Sequence, residues 1–269
     1  MKSELPQSLG ILSIATGIYK DYWIKLFESI VETWASVEKI SMHVFTDDPD
    51  GLQEVGETSP RVKVVSHPIP SFGWPEATLL RYSIFKEKMD QITEDVLLYL
   101  DADMQVVGDL PTNWLNYVQD SVTLVAHPGY FRPASATARA GYYFRNPIQY
   151  FLDVWALSRE GGLGEWEKNP ASQAYVRKAD RITYVCGGAW FGPRDKIMEM
   201  IETLSGRVEL DYAKNVTARW HDESHLNWYF ADSSPALTAP SWCYVEGASN
   251  LKGITPIVLA VDKGDHKTR

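Results

Sequence analysis

The sequence predicts an α/β fold with a mostly parallel central sheet flanked by helices. Three observations predict it. Short apolar runs lack the in-and-out alternation of half-exposed strands, as in sheets covered on both faces. Segments with apolar residues spaced by three and four separate those runs. The 269 residues, 45% hydrophobic and 23% charged, are enough to bury a sizeable core without disulfides or metals as staples.

The elements follow in chain order. Leu9 to Ala15 is apolar throughout and ends at Thr16-Gly17, so it reads as a buried strand running into a turn. From Tyr19 to Trp34 the residues Tyr22, Trp23, Leu26, Phe27, Ile30, Val31 and Trp34 recur with helical spacing. Ile40 to Thr46 is a second strand, closed by the turn signal Asp47-Asp48-Pro49-Asp50-Gly51. Val62 to Val65 is a third strand. Pro75 to Met89 reads as a helix with proline in its first turn, and Val96 to Leu100 as a fourth strand. The first hundred residues therefore read β-α-β-β-α-β. Ligands of such sheets sit beyond the carboxyl ends of the strands, which selects the turn after Ala15 and the segment after Leu100.

The second half is less regular. Val122 to Ala126 reads as a strand, and residues 130–180 as loops with one helix near Pro147 to Leu157. Ile182 to Val185 leads as a strand into Cys186-Gly187-Gly188, and helices follow over Pro193 to Leu204 and Asp222 to Phe230. The polar tail from Asp262 is expected to be mobile without a ligand. Nothing in the composition marks a linker, so residues 1–269 read as one domain.

Charge and cysteine usage narrow the function. Lys plus Arg number 26 and Asp plus Glu 35, a net charge of −9, which argues against nonspecific nucleic-acid binding. Cys186 and Cys243 have no metal spacing and read as two buried free thiols. No apolar stretch reaches the roughly 18 residues that a membrane span requires. With no signal sequence recognised, the expectation is a soluble cytoplasmic chain with no membrane anchor.

Two clusters carry chemistry. Asp101-Ala102-Asp103 follows a buried strand, and carboxylates two residues apart point the same way and can share one hard cation. The alternative is a solvated strand end. Trp220-His221-Asp222-Glu223-Ser224-His225-Leu226-Asn227 is the densest polar run in the chain. Its histidines sit at i and i+4, but Asp222 stands where a zincin has its glutamate, which argues against zinc. Asp222 also suits a helix N-cap; the functional reading turns Glu223 toward a reacting centre. Arg81 could pair with a carboxylate or a diphosphate, the Tyr19 ring could stack on a base, and Gly187-Gly188 would permit close approach of a ligand.

Taken together and in order, these segments resemble glycosyltransferase family 6, which includes the blood-group A and B transferases. The run from Trp220 to Asn227, followed by Tyr229-Phe230, is similar to the family's nucleophile segment, and Asp101-Ala102-Asp103 to its Asp-x-Asp metal motif. Ala15-Thr16-Gly17-Ile18-Tyr19 resembles the uridine-binding turn, and Trp74 to Arg81 the segment whose arginine lies near the donor. His127-Pro128-Gly129, Trp166 to Pro170 and Ala174-Tyr175 resemble acceptor-side loops, and Cys186-Gly187-Gly188 the donor-selecting triplet.

The resemblance implies a GT-A fold and a retaining transfer of GalNAc or Gal from a UDP-sugar to the 3-OH of a β-galactoside glycan, forming an α1,3 link. It implies Mn²⁺ on Asp101 and Asp103, with Glu223 and Asp222 as catalytic residues. Ala15, Tyr19, Arg81, Ala102, Cys186, Gly187, Gly188 and Lys263 would join the two metal aspartates around the donor. His127, Gly129, Trp220 and Glu223 would meet the acceptor. Residues 9–120 would form the nucleotide-binding half, 121–250 the acceptor half and 251–269 a tail whose Lys263, Lys267 and Arg269 close over the diphosphate. Gly129 and Gly188 match positions where glycine goes with UDP-GalNAc. About twenty extra residues between Tyr130 and Trp166, rich in arginine and aromatics, depart from the family pattern. Other retaining GT-A transferases and a sugar-binding protein without turnover are the alternatives.

Overall fold

The computed structural model describes residues 8–34, 37, 39–72, 76–111, 114, 118 and 120–261. The amino-terminal half builds up one side of the sheet from β1 (Leu9–Ala15), α1 (Tyr19–Thr33), β2 (Ile40–Thr46), α2 (Pro49–Gly56) and β3 (Val62–Pro68). Next come α3 (Glu76–Leu79), α4 (Arg81–Lys86), β4 (Val96–Leu100) and β5 (Met104–Val106). The second half holds β6 (Thr123–Ala126), α5 (Ala136–Arg145), α6 (Pro147–Glu160), β7 (Val185–Pro193), α7 (Arg194–Ala213), α8 (His221–Ser233), β8 (Ala236–Thr238) and β9 (Val258–Ala260).

Seven strands form the main sheet in the order β3-β2-β1-β4-β7-β6-β8, and β5 pairs with β9 in a small second sheet. β3, β2, β1 and β4 are mutually parallel, and β8 is parallel to β6. β7 runs antiparallel to both neighbours. The mostly parallel α/β architecture is as expected.

Strand periodicity divides the core in two. Leu9 and Ile11 of β1 and Val96, Leu98 and Leu100 of β4 enter one cluster with Trp23, Leu26, Phe27 and Ile30 of α1. Leu12 of β1 and Leu97 and Tyr99 of β4 point the other way, into a second cluster with Tyr82 and Phe85 of α4 and Ile197, Met200 and Ile201 of α7. The sheet is therefore buried on both faces, which is why its strands read as continuous apolar runs.

Four expectations change. The turn after β2 is followed at once by α2, so the order is β-α-β-α-β. Asp48 accepts a hydrogen bond from the Gly51 amide at 3.3 Å and Pro49 occupies the first turn, a start signal made of the residues that also signal turns. The helix expected over Pro75 to Met89 divides at Leu80 into α3 and α4; Trp74 and Pro75 lie outside the described residues. Residues 130–180 hold two helices instead of one. Ser135 caps α5 by accepting from the Ala138 amide at 3.1 Å, and Asn146-Pro147 separates α5 from α6, because a residue before proline is pushed out of the helical region. Last, Cys186-Gly187-Gly188 lies within β7, whose start is Val185, and does not follow a strand at 182–185. Antiparallel pairing with β4, from Leu100 opposite Ala189 to Val96 opposite Pro193, sets that register.

Candidate active site

The site forms where β4 and β7 meet the amino terminus of α8. In β4 the residues facing α4 and α7 are Leu97 and Tyr99, and the period of two carries Asp101, just past the strand, to the same side. There Asp101 Oδ1 accepts from Arg81 Nη2 at 2.8 Å and from the Tyr99 hydroxyl. Across the sheet, the Asp101 amide donates to the Gly188 carbonyl at 3.0 Å.

Arg81 is the hub. It is 5% exposed and lies with its guanidinium carbon 4.5 Å above the Tyr99 ring. Besides Asp101 it reaches Asp222 Oδ2, at 2.5 Å from Nη1, and the Gly187 carbonyl, at 2.9 Å. Burial alone would discharge the guanidinium, but Asp222, Tyr99 and Asp101 hold it firmly protonated. Asp222 pays for that company only in part. Its burial raises the carboxyl pKa to about 6 despite Arg81.

Glu223 is more strongly perturbed. Burial lifts its pKa to about 7, against the hydrogen bonds from the Gly187 amide and the Tyr184 hydroxyl. The Gly187 amide donates to Glu223 Oε2 at 2.8 Å. Asn227 sets the helix in place. Its amide takes the role of a neighbouring strand, accepting from the Val185 amide at 2.8 Å and donating to the Val185 carbonyl at 2.9 Å. It also donates to the Glu223 carbonyl one turn back, at 2.9 Å. Thus α8 is pinned to β7 one turn after Glu223.

The glycines make this approach possible. A Cβ on Gly187 would stand 3.1 Å from Glu223 Cβ, and one on Gly188 would stand 2.6 Å from Met104 Cε and 2.9 Å from Asp101 Oδ2. The result is a cleft of about 190 Å³ lined by Thr78, Arg81, Asp101, Gly187, Gly188, Trp220, His221, Asp222 and Glu223. Trp220 is 44% exposed at its rim.

Of the residues singled out from the sequence, Arg81, Asp101, Gly187, Gly188, Trp220, Asp222 and Glu223 thus come together. Others do not line this cleft. Ala15 and Ala102 are packed in the core beside α1. Tyr19 opens α1, its ring centroid 6.1 Å from that of Tyr22. Cys186 turns its sulfur inward, 3.0 Å from Cys243 Sγ, and both thiols are free and buried as expected. His127 accepts from the Gly129 amide at 3.1 Å and packs edge-on to Tyr184, while burial lowers its pKa to about 4. Asp103 is half-buried, and its backbone carbonyl accepts from the Val261 amide at 3.0 Å. Lys263, Lys267 and Arg269 lie outside the described residues. Asp222 is not a cap: α8 starts at His221, with Trp220 before it.

His221 and His225 do not converge on a metal. His221 Nδ1 lies 3.4 Å from the Thr78 hydroxyl, whereas His225 Nε2 is fully buried 3.5 Å from Asp211 of α7. Among the described residues no three His, Cys, Asp or Glu side chains are gathered as a metal cage. A cation at Asp101 and Asp103 would take two protein carboxylates and complete its shell from a ligand. Asp101 suits this: Oδ1 serves Arg81 and Tyr99, and Oδ2 is turned toward Gly188 in the cleft wall.

Tyr99, Tyr184 and Asn227 were not assigned roles from sequence. Tyr99 precedes Asp101 by two and Asn227 follows Glu223 by four, so strand and helix periods could have found them. Tyr184 has no such local signal.

Comparison with known proteins gives a consistent picture. Residues 152–268 match the model of Glycosyltransferase family 6. The chain is 24% identical to the O-antigen biosynthesis glycosyltransferase WbnI of Escherichia coli over 88% of each chain. It is 25% identical to the histo-blood group ABO system transferase 1 of Rattus norvegicus, over 79% of this chain and 54% of that one. It is 22% identical to the globoside alpha-1,3-N-acetylgalactosaminyltransferase 1 of Gallus gallus, over 88% of this chain and 62% of that one. The chain thus spans a little over half the length of these two animal relatives. The sheet and the family match together bear out the GT-A fold. No helix among the described residues is long and apolar enough to cross a membrane.

Proposed function

From the match of residues 152–268 to the model of Glycosyltransferase family 6, we propose that the chain is a retaining transferase that moves GalNAc, or Gal, from a UDP-sugar to the 3-OH of a β-galactoside, forming an α1,3 link. The observation that carries this reading is Glu223: a half-buried carboxyl with a pKa near 7, fixed by a backbone amide, in a cleft shared with Arg81 and Asp101. Perturbed carboxyls in clefts mark sites of chemistry.

The roles follow from the contacts. Deprotonated Glu223 would stabilise the positive charge developing at the anomeric carbon, or attack that carbon from the opposite face; both routes give retention. Asp222 and Asp101 hold Arg81 from two sides, fixing the guanidinium where a diphosphate oxygen would need it. Tyr99 orients Asp101. Gly187 and Gly188 leave room for the sugar against β7. A hard divalent cation such as Mn²⁺, held by Asp101 and Asp103, would neutralise charge on the leaving diphosphate.

In this reading residues 9–120 bind the nucleotide, with Ala15 and Tyr19 near the base, and 121–250 bind the acceptor, with His127, Gly129 and Trp220 at its sugar. The tail, 251–269, supplies Lys263 to the diphosphate. Gly188 adds no side chain to the cleft wall, and its resemblance to the family's donor-selecting position supports GalNAc. A methyl group in such a pocket shifts selectivity by only about 1–3 kcal/mol, so both donors belong in the test.

The test measures UDP release from UDP-GalNAc and UDP-Gal, with Mn²⁺ or EDTA, using lactose and 2′-fucosyllactose as acceptors. Acceptor-stimulated release that requires Mn²⁺ and favours UDP-GalNAc is expected. Silence with every pair, despite measurable UDP binding, would leave a sugar-binding protein instead.

A further inference from the structure

The hairpin of α5 and α6 is out of character with the rest of the surface. Its apolar side chains face outward: Phe144 is 89% exposed, Ile148 76%, Phe151 70% and Trp155 53%. Monomeric proteins rarely leave so many large apolar groups contiguous and open. The charge is also reversed. The chain carries −9, yet from residue 121 to the end of α6 its charged residues are Arg132, Arg139, Arg145, Arg159 and two acids, Asp153 and Glu160. Glu160 is taken by residues beyond the helix, 2.8 Å from Lys168 Nζ and 3.7 Å from Arg181 Nη1. Asp153 is buried and taken by Arg132, whose Nε lies 2.5 Å from Oδ2 and whose Nη2 donates to Oδ1 at 2.9 Å. The three remaining arginines are exposed, and among the described residues none of them is paired with an acid.

We propose that this hairpin docks the protein onto a lipid bilayer bearing anionic headgroups. Aromatic and aliphatic side chains interleaved with arginine are what an interfacial helix needs: apolar groups enter the headgroup boundary and cations meet the phosphates. The hairpin lies on the surface and does not cross it. The 14 residues of α6 extend about 21 Å at 1.5 Å per residue, short of the roughly 30 Å of hydrocarbon. The same charge argues against a symmetric second copy, because a two-fold axis would set arginines against arginines. Docking would also orient the cleft. The loop joining His127-Pro128-Gly129 to the hairpin is held by Asn250, whose side chain donates to the carbonyls of Pro128 at 2.6 Å and Phe131 at 3.0 Å. The far end is held by Lys178 on the Arg159 carbonyl, 2.6 Å, and Arg181 on the Glu160 carbonyl, 2.8 Å. The chain next to His127 would then lie beside the lipid.

Vesicle flotation of the whole chain tests this, independently of any transferase activity. The protein is expected to float with phosphatidylcholine–phosphatidylglycerol vesicles, far less with phosphatidylcholine alone, and less as salt rises. Replacing Phe144, Phe151 and Trp155 by Ser should cut binding at least tenfold, on the order expected for three lost apolar anchors. Replacing Arg139, Arg145 and Arg159 by Gln should weaken it roughly a hundredfold, at about fivefold for each cation near an anionic surface. Thermal unfolding checks that each variant is folded; the arginine set lies on the surface, its protein contacts being Arg139 with the Pro133 and Ala134 carbonyls and Arg159 over the Trp155 ring, and it stays informative if the serine set is not. The proposal is overturned if the folded wild-type chain does not float with anionic vesicles. Self-association in sedimentation that the serine variant abolishes would then assign the face to other copies of the chain.

Discussion

Two half-buried glutamates, one just before β4 and one in α8, have been driven in opposite directions. Glu94 meets His43 of β2, with Oε2 3.0 Å from Nε2, and accepts from the Thr93 amide at 3.1 Å. His43 passes the chain on to His67 of β3 at 3.0 Å. Burial pushes Glu94 up, but the hydrogen bonds from His43 and Ser41 win and hold its pKa at about 2. Glu223 also accepts hydrogen bonds, yet its burial prevails and its neighbours Asp222 and Asp101 are acids, so it rises to about 7. The difference teaches that burial by itself does not mark a site. One cluster satisfies its charge and stabilises the fold; the other keeps a carboxyl near its switching point.

The comparison can be broken in several ways, the largest effect first. Glu223→Gln should lower transfer by roughly a thousandfold or more, on the scale of losing a group that acts at the reacting centre, while UDP binding persists. Wild-type rates in this variant would remove Glu223 from the mechanism. Arg81→Met comes next, because it leaves buried Asp222 beside half-buried Asp101 without their cation. A loss of about 3–5 kcal/mol in urea unfolding is expected; a loss below about 1 kcal/mol would show that the cluster relaxes.

The same Glu223→Gln protein should be more stable than wild type at pH 8, by roughly 2–3 kcal/mol. The folded carboxyl has a pKa of about 7 against 4.5 for the free group, so its favourable contribution is complete below 4.5 and lost as pH rises through 7. Transfer should follow the reverse course and rise with pH around a midpoint near 7. Activity that is flat from pH 5 to 8 would contradict this. Smallest is Glu94→Gln, which should cost about 1–2 kcal/mol at neutral pH and leave transfer intact. Glu94 contributes above pH 4.5 and loses that contribution as pH falls toward 2. The variant should therefore flatten the acid limb of the stability curve.

Much of the site was legible because its residues lie close in sequence or share a period. Asp101 and Asp103 follow an apolar run, and Glu223 sits in a dense polar segment. Arg81 was legible as a partner for a carboxylate or a diphosphate and through the family resemblance, but its burial between Asp101 and Asp222 depends on contacts 20 and 141 residues apart. The α2 helix was missed because Asp-Pro-Asp-Gly serves turns and helix starts alike, and the choice rests on what Leu52 and Gly56 bury against. The α5 helix was missed because its apolar residues have no core to match.

What the sequence alone determined is the local grammar: continuous apolar strands, helical spacing, and the two polar clusters that resemble one enzyme family. Tertiary structure decided which way each charge titrates. A carboxyl's pKa is set by the sum of burial, hydrogen bonds and neighbouring charge over a few ångströms, and those ångströms are supplied by β4, β7, α4 and α8, far apart in the chain. The antiparallel register of β7, which brings Gly187 under Glu223 and Gly188 against Asp101, is the step no local pattern encodes.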